Sequence, residues 1–103
     1  MLDKTAVIDT ARKYSDEVKK HYDPFAIVVF GSHINGGPHE NSDIDVAVVF
    51  DGFNGNWYDT NVNLWRISER ISLDIEPHLL DTTKDITGFA DYVLRTGDII
   101  YRS

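Results

Sequence analysis

The chain has 103 residues, of which 42% are hydrophobic and 12% aromatic, and it contains no cysteine. This length and composition predict one folded domain spanning residues 1–103, and they exclude disulfides and thiolate metal sites. Ten basic against seventeen acidic residues give a net charge of -7, which argues against direct nucleic-acid binding because the phosphate backbone is itself negative.

The first half of the chain predicts a helix followed by two buried strands. Residues 3–22 carry apolar side chains at spacings of three and four, the pattern of one helical face, and Asp23-Pro24 ends this helix. The apolar runs 25–30 (FAIVVF) and 44–50 (IDVAVVF) predict strands that are buried on both faces. Between them, the glycine-rich segment 31–42 is a predicted loop, or a loop with a short turn of helix.

The second half predicts a helix, a strand, a helix and a final strand. Turn residues at 51–56 precede an amphipathic helix, and the alternating run 71–80 (ISLDIEPHLL) predicts the third strand. A further helix begins with Asp85 as its N-cap and stops at Gly97, before a short edge strand at 98–101. The order α-β-β-α-β-α-β predicts a small α/β (α+β) fold, a mixed sheet flanked by helices, in which strand three can lie beside strand two.

Two pairs of carboxylates occupy the second and third predicted strands. Asp43 and Asp45 are two residues apart and therefore project from the same face of strand two. Such a pair repels itself unless a cation neutralises it, and its hard oxygen ligands suit Mg²⁺ or Mn²⁺. Asp74 and Glu76 repeat the spacing on strand three. If the two strands are neighbours, three or four carboxylates converge, as two-metal phosphoryl transfer requires.

Gly31 and Ser32 follow directly after the first buried strand. A glycine there lets backbone N–H groups approach a ligand closely, and the serine hydroxyl with the amides that follow can hold an anion. An anion cradle on one side and a carboxylate pair on the other describe a site for a metal-bound nucleoside triphosphate.

Each of these features also has a simpler interpretation. Gly-Ser after a strand is typical of a turn, Asp-x-Asp is often a surface pair, and Asp74 and Glu76 could lie on the solvent face of an edge strand. No Walker A lysine follows the glycines. The histidines have no zinc-like spacing and are interpreted as surface or loop residues; they are His21, His33, His39 and His78. The ordered combination is more specific than any of its parts.

Gly-Ser, ten intervening residues and Asp-Ile-Asp together resemble the signature of the DNA polymerase β-type nucleotidyltransferase superfamily. More narrowly, the chain resembles the minimal nucleotidyltransferases, whose bacterial members often pair with a HEPN-domain protein as toxin–antitoxin modules. The segment 42–49 (SDIDVAVV) is similar to that family's Ser-Asp-hydrophobic-Asp strand. The similarity extends over the whole chain and implies a nucleotidyltransferase fold like the polymerase β palm.

By position, the resemblance implies that Gly31 and Ser32 bind the triphosphate and that Asp43 and Asp45 ligate magnesium. The family's third carboxylate falls at Asp74 or Glu76. Asp74 is preferred because it is expected in the middle of strand three. This residue would ligate the metal near the attacking hydroxyl or act as its general base.

The implied activity is transfer of a nucleoside monophosphate, with ATP as donor, to an acceptor hydroxyl on a partner protein, with release of pyrophosphate. The chain lacks the additional helical domain of larger relatives, so a HEPN-type partner or a second copy of the chain is expected to complete the site. The alternative is a non-catalytic antitoxin that neutralises such a partner by contact. A third, plainer reading is a small α/β domain with a surface acidic cluster.

The location is expected to be the cytoplasm. No apolar run approaches the roughly 20 residues that span a bilayer. The acids and polar residues at the N-terminus do not form the apolar core of a signal peptide. We therefore expect no association with a membrane.

Overall fold

The structure is a computed structural model that describes residues 3–31 and 44–103. Within these residues, three α-helices and four strands follow one another in the predicted order. They are α1 (Lys4–Lys19), β1 (Ala26–Phe30), β2 (Ile44–Phe50), α2 (Trp57–Ile71), β3 (Ile75–Asp81), α3 (Phe89–Thr96) and β4 (Asp98–Arg102), with a 3₁₀ turn at Thr82–Lys84. The predicted small mixed α/β fold is confirmed.

The four strands form one sheet in the order β3-β2-β1-β4. Strand β1 is antiparallel to both β2 and β4, whereas β2 and β3 are parallel. Parallel neighbours need a crossover connection, and α2 supplies it. Pro77 is accommodated because β3 is an edge strand, where a residue without an N–H does not interrupt the sheet. The expectation that strands two and three are neighbours is confirmed.

Helices cover both faces of the sheet. On one face, α1 and α2 pack against alternate residues of β2, among them Ile44, Val46 and Val48. On the other face, Ala47 and Val49 pack with Val93 of α3. Side chains on both faces of β1 and β2 are thus buried, as the continuous apolar runs predicted. No helix in the described residues is long and apolar enough to cross a membrane.

The third strand begins later than the sequence pattern indicated. Helix α2 continues to Ile71, whose side chain packs against the core, and the N–H of Ser72 still donates to the carbonyl of Ser68. Leu73 and Asp74 form a turn, and β3 begins at Ile75. The expectation that Asp74 lies in the middle of a strand is therefore wrong. A short apolar segment fits both periodicities, and here packing of the helix decides between them.

Helix α3 begins at Phe89 rather than directly after Asp85, with Gly88 as its N-cap residue. Asp85 nevertheless caps the helix from a distance. Its carboxylate accepts hydrogen bonds from the backbone N–H groups of Ala90 at 2.9 Å and Asp91 at 3.0 Å. These donors lie in the first turn, where no intrahelical acceptor exists. Asp85 thus has the predicted capping role, although the helix starts three residues later than predicted.

A buried carboxylate secures the end of β3. Asp81 is only 5% exposed and accepts four hydrogen bonds, from the N–H groups of Gly52, Phe53 and Thr83 and from the Thr83 hydroxyl. Burial alone would raise the pKa of Asp81, but the bonds from Thr83, Phe53 and Gly52 outweigh it and hold this pKa well below its usual value. The side chain thus fixes the turn that leads into α2.

A buried hydrogen bond connects α1 and α2, the two helices on one face of the sheet. Tyr14 of α1 is completely buried, and its hydroxyl donates a 2.9 Å hydrogen bond to the carbonyl of Leu64 in α2. Burial raises the pKa of this phenol above its usual value, with a smaller contribution from Tyr22. The contact sets the distance between the helices that cover the face of the sheet opposite α3.

Candidate metal and nucleotide site

The candidate site lies where β2 and β3 begin. In the parallel register Asp45 is paired with Glu76, and on its other side Asp45 is paired with Phe30, the last residue of β1. Strand alternation places the Asp45 side chain on the same face as Ala47 and Val49. The two carboxylates therefore stand next to each other on the face that α3 partly covers.

His78 completes this group. Its Nε2 lies 3.0 Å from Oδ1 of Asp45, and one ligand atom from each of Asp45, Glu76 and His78 can be chosen so that all three lie within 4.8 Å of one another. His78, interpreted from the sequence as a surface or loop residue, lies within the edge strand β3 rather than in a loop, and its side chain is 30% exposed. The signal was present, because His78 follows Glu76 by two residues and so shares its face of β3.

An aromatic contact holds the histidine ring in place. Phe30 meets His78 edge-to-face with 5.0 Å between ring centroids, and it meets Phe89 of α3 in the same way at 5.6 Å. Phe30 is itself buried, whereas the side chains of Asp45 and His78 remain 25% and 30% exposed. The polar atoms are therefore open to a ligand while one side of the ring is packed.

Gly31 brings the backbone against the carboxylate. Its φ is +91°, in the left-handed region that favours glycine. A Cβ atom at this position would lie 2.5 Å from Oδ2 of Asp45, closer than real Cβ contacts allow. The start of the Gly-Ser segment and the Asp45 carboxylate are thus in direct proximity. This closeness is possible because residue 31 has no side chain.

Of the predicted site residues that the structure describes, Asp74 is not part of this group. Ser32 and Asp43 lie outside the described residues. Asp74 is exposed in the turn before β3, and its main-chain carbonyl accepts a 2.5 Å hydrogen bond from the N–H of Ile44. Of the two acids considered for the third carboxylate, Glu76 is the one that lies with Asp45.

The donor set fits a divalent cation. Two carboxylates are typical ligands of Mg²⁺ and Mn²⁺, and an imidazole beside them suits a transition-metal ion such as Mn²⁺. Without a cation, Asp45 and Glu76 would face each other as like charges at a partly buried position. A cation bound between them would reduce this repulsion.

The sequence also matches a family. The model of the family described as polymerase beta nucleotidyltransferase matches residues 12–103. The chain belongs to this family. The matched region includes β1, the Gly31 turn, β2 and β3, and hence every element of the candidate site. None of the curated protein sequences matches the chain significantly.

Solved structures support the same fold. A candidate nucleotidyltransferase from Sulfolobus solfataricus superposes with a TM-score of 0.70 at 23% identity, over 96% of this chain and 83% of that one. A mutant of the MntA–HpeT toxin–antitoxin gives 0.58 at 22% identity, and a toxin–antitoxin with AMP-PNP gives 0.57 at 25%. In both of these cases the match covers 99% of this chain and 75% of the other.

Proposed function

We propose that the protein is a divalent-metal-dependent nucleotidyltransferase that moves a nucleoside monophosphate from a nucleoside triphosphate, with ATP as the donor, to a hydroxyl on a partner protein. Pyrophosphate is the second product. The reaction takes place in the cytoplasm. The partner is a HEPN-type protein.

One observation carries this proposal, namely that Gly31, Asp45 and Glu76 meet at one end of the sheet. They come from three separate strand ends, and none of the contacts is needed to bury the core. A backbone turn that approaches a carboxylate pair is suited to a phosphate chain whose charge a cation shares. Family membership gives this geometry its chemical interpretation.

The proposed reaction is an in-line displacement at the α-phosphorus. The acceptor oxygen forms a bond to this phosphorus, the bond from the phosphorus to the oxygen that bridges to the β-phosphate breaks, and pyrophosphate leaves. A bound divalent cation supplies charge neutralisation for the phosphates. Asp45 with Asp43 holds that cation, and the backbone of Gly31 and Ser32 positions the triphosphate. Glu76 orients the acceptor hydroxyl and takes its proton.

The proposed donor and partner are supported by the related structures. One toxin–antitoxin that shares this fold was solved with AMP-PNP, a nucleotide with three phosphate groups. Both toxin–antitoxin structures cover nearly the whole of this chain. The resemblance to the minimal nucleotidyltransferases points to a helical HEPN-type protein, which a neighbouring reading frame would encode.

The test is to incubate the protein with that neighbouring protein, a divalent metal and ATP labelled either at the α- or at the γ-phosphate. Nucleotidyl transfer places the α-label, and not the γ-label, on the partner. Asp45→Asn should abolish labelling. Asp51→Asn is the matched control, because Asp51 is an exposed aspartate just beyond the opposite end of β2.

Three results would contradict the proposal or its assignment to this site. Transfer of the γ-label would indicate a kinase instead. Tight association of the two proteins with no transfer of either label would support the alternative function, a non-catalytic antitoxin. If Asp45→Asn labelled the partner as well as Asp51→Asn does, the site would be wrongly assigned.

A further inference from the structure

His78 is the one member of the site's polar group that the proposed reaction does not use. Its position is nevertheless specific. It follows Glu76 by two residues on β3, and its Nε2 points at Oδ1 of Asp45 across a gap of 3.0 Å. At this distance the two atoms can share a hydrogen bond, and both are also atoms that can bind a metal ion.

The spacing matches that of two neighbouring ligands on one ion. Ligands bound at about 2.1 Å on adjacent positions of an octahedral ion lie about 3 Å from each other, as Asp45 Oδ1 and His78 Nε2 do. The whole group, with Glu76, spans 4.8 Å. Opposite ligands of such an ion are about 4.2 Å apart, so a shift of about half an ångström closes the group around a cation.

Packing of the ring favours this use of the nitrogen. Phe30 contacts the imidazole edge-to-face and is itself braced by Phe89. The ring of His78 is thus restrained while Nε2 remains on the side of Asp45. A ligand whose orientation is fixed before the ion arrives loses less conformational freedom on binding, and this strengthens the site.

We propose that His78 is a direct metal ligand, and that the site consequently takes Mn²⁺ or a similar transition-metal ion in preference to Mg²⁺. This inference rests on the proposed function for the identity of the site. The reason is the chemistry of the donor: Mg²⁺ demands oxygen ligands and keeps its water, whereas imidazole nitrogen suits transition metals. An all-carboxylate site would not make this distinction.

Binding of Mn²⁺ to the full chain tests the proposal without any nucleotide or acceptor. Mn²⁺ titrations followed by electron paramagnetic resonance give the affinity, and competition with Mg²⁺ gives the preference. His78→Asn should weaken Mn²⁺ binding by about tenfold or more while it changes Mg²⁺ binding much less. His21→Asn is the matched control, because His21 is an exposed histidine just after α1.

Pulsed resonance detects the bond itself. A nitrogen bound to Mn²⁺ modulates the electron spin echo, and labelling histidine with ¹⁵N changes the modulation. We expect this modulation in the unmodified protein and in His21→Asn, and its loss in His78→Asn. Absence of nitrogen modulation in the Mn²⁺-bound protein, or its persistence in His78→Asn, would overturn the proposal.

The outcome is separable from that of the labelling experiment. If the nitrogen signal depends on His78 but no partner becomes labelled, the assignment of His78 as a metal ligand is supported and the proposed transfer activity is contradicted. If labelling depends on Asp45 but the nitrogen signal is absent, the activity stands and His78 is only a hydrogen-bonding neighbour of Asp45.

Discussion

Asp45 of β2 and Glu76 of β3 occupy one register position of a parallel strand pair, so their carboxylates are neighbours across the sheet. Asp74, two residues earlier, lies outside the strand in an exposed turn. The parallel pairing therefore distinguishes two acids that the sequence pattern treats alike. Substitutions of Glu76 and of Asp74 should therefore have different effects.

We expect Glu76→Gln to lower the rate of metal-dependent nucleotidyl transfer by roughly 100-fold or more, the contribution of a group that takes a proton from the acceptor. Asp74→Asn should change the rate by only a few-fold, since its main-chain carbonyl rather than its carboxylate contacts β2. The measurement is the initial rate with α-labelled ATP. A larger loss in Asp74→Asn than in Glu76→Gln would reverse the assignment of the third carboxylate.

Gly31→Ala should weaken both metal binding and the fold. The substitution adds a side chain at a φ of +91° and places its Cβ against Oδ2 of Asp45. Gly52→Ala is a close control, because Gly52 has a φ of +85° but nothing within 4 Å of the added atom.

Both glycine variants should lose about 1 kcal/mol or more of unfolding free energy from the strained backbone. Only Gly31→Ala should also weaken Mn²⁺ binding, by about tenfold. Urea unfolding and metal titration of the same two samples provide the comparison. Equal metal affinities in the two variants would show that the Gly31 backbone does not shape the site.

Asp81→Asn should reduce the unfolding free energy at pH 7 by roughly 1.5–3 kcal/mol, because an amide cannot accept all the hydrogen bonds that the carboxylate receives. Asp51→Asn, at an exposed carboxylate that accepts a bond from the hydroxyl of Thr82, should have a much smaller effect. Urea unfolding monitored by the fluorescence of Trp57 and Trp65 measures both.

The Asp81 contribution should also depend on pH. Its pKa in the folded state is lowered, so the contribution is complete above the unfolded-state pKa of about 3.9 and declines as the pH falls below it. The difference in stability between the unmodified protein and Asp81→Asn should thus be constant from pH 7 to about pH 5 and shrink below about pH 4. A difference that grew with acid would contradict this account.

Tyr14→Phe should lower stability by about 1 kcal/mol, since it removes the buried hydrogen bond to the Leu64 carbonyl and leaves a small gap. Tyr58→Phe removes a hydroxyl from a side chain that is 74% exposed and should have almost no effect. Thermal unfolding of both variants tests the prediction. Similar melting temperatures for the two would mean that the contact between α1 and α2 contributes nothing net.

Most of the fold could be predicted because its signals are local. The buried runs of β1 and β2 admit one interpretation, and the order of elements follows from periodicity. The boundary between α2 and β3 could not be predicted, because the segment after Ile71 satisfies helical and strand patterns alike. There, the packing of α2 on the core decides the outcome.

The candidate site, too, could be predicted only in part. The sequence spacing identified Asp45 and left Glu76 as one of two choices, and the register then placed these two together. The spacing of the four histidines along the chain, which is not that of a zinc site, does not indicate a role for His78. Its partner Asp45 is 33 residues away in the sequence, and only the parallel pairing of two strands brings them together.

The direction of α2 has a consequence for the order in which ligands bind. This helix begins after β2 ends and finishes just before β3 starts, so its C-terminal end lies at the same end of the sheet as Asp45 and Glu76. In most parallel βαβ units, ligands sit at the opposite end, where helix N-termini attract phosphates. Helix α2 packs on the face of the sheet opposite Asp45, so no N-terminus of this helix faces the two carboxylates, and a cation bound between them would have to offset their charge for a triphosphate. If the proposed function holds, the cation would therefore have to arrive before the nucleotide or together with it.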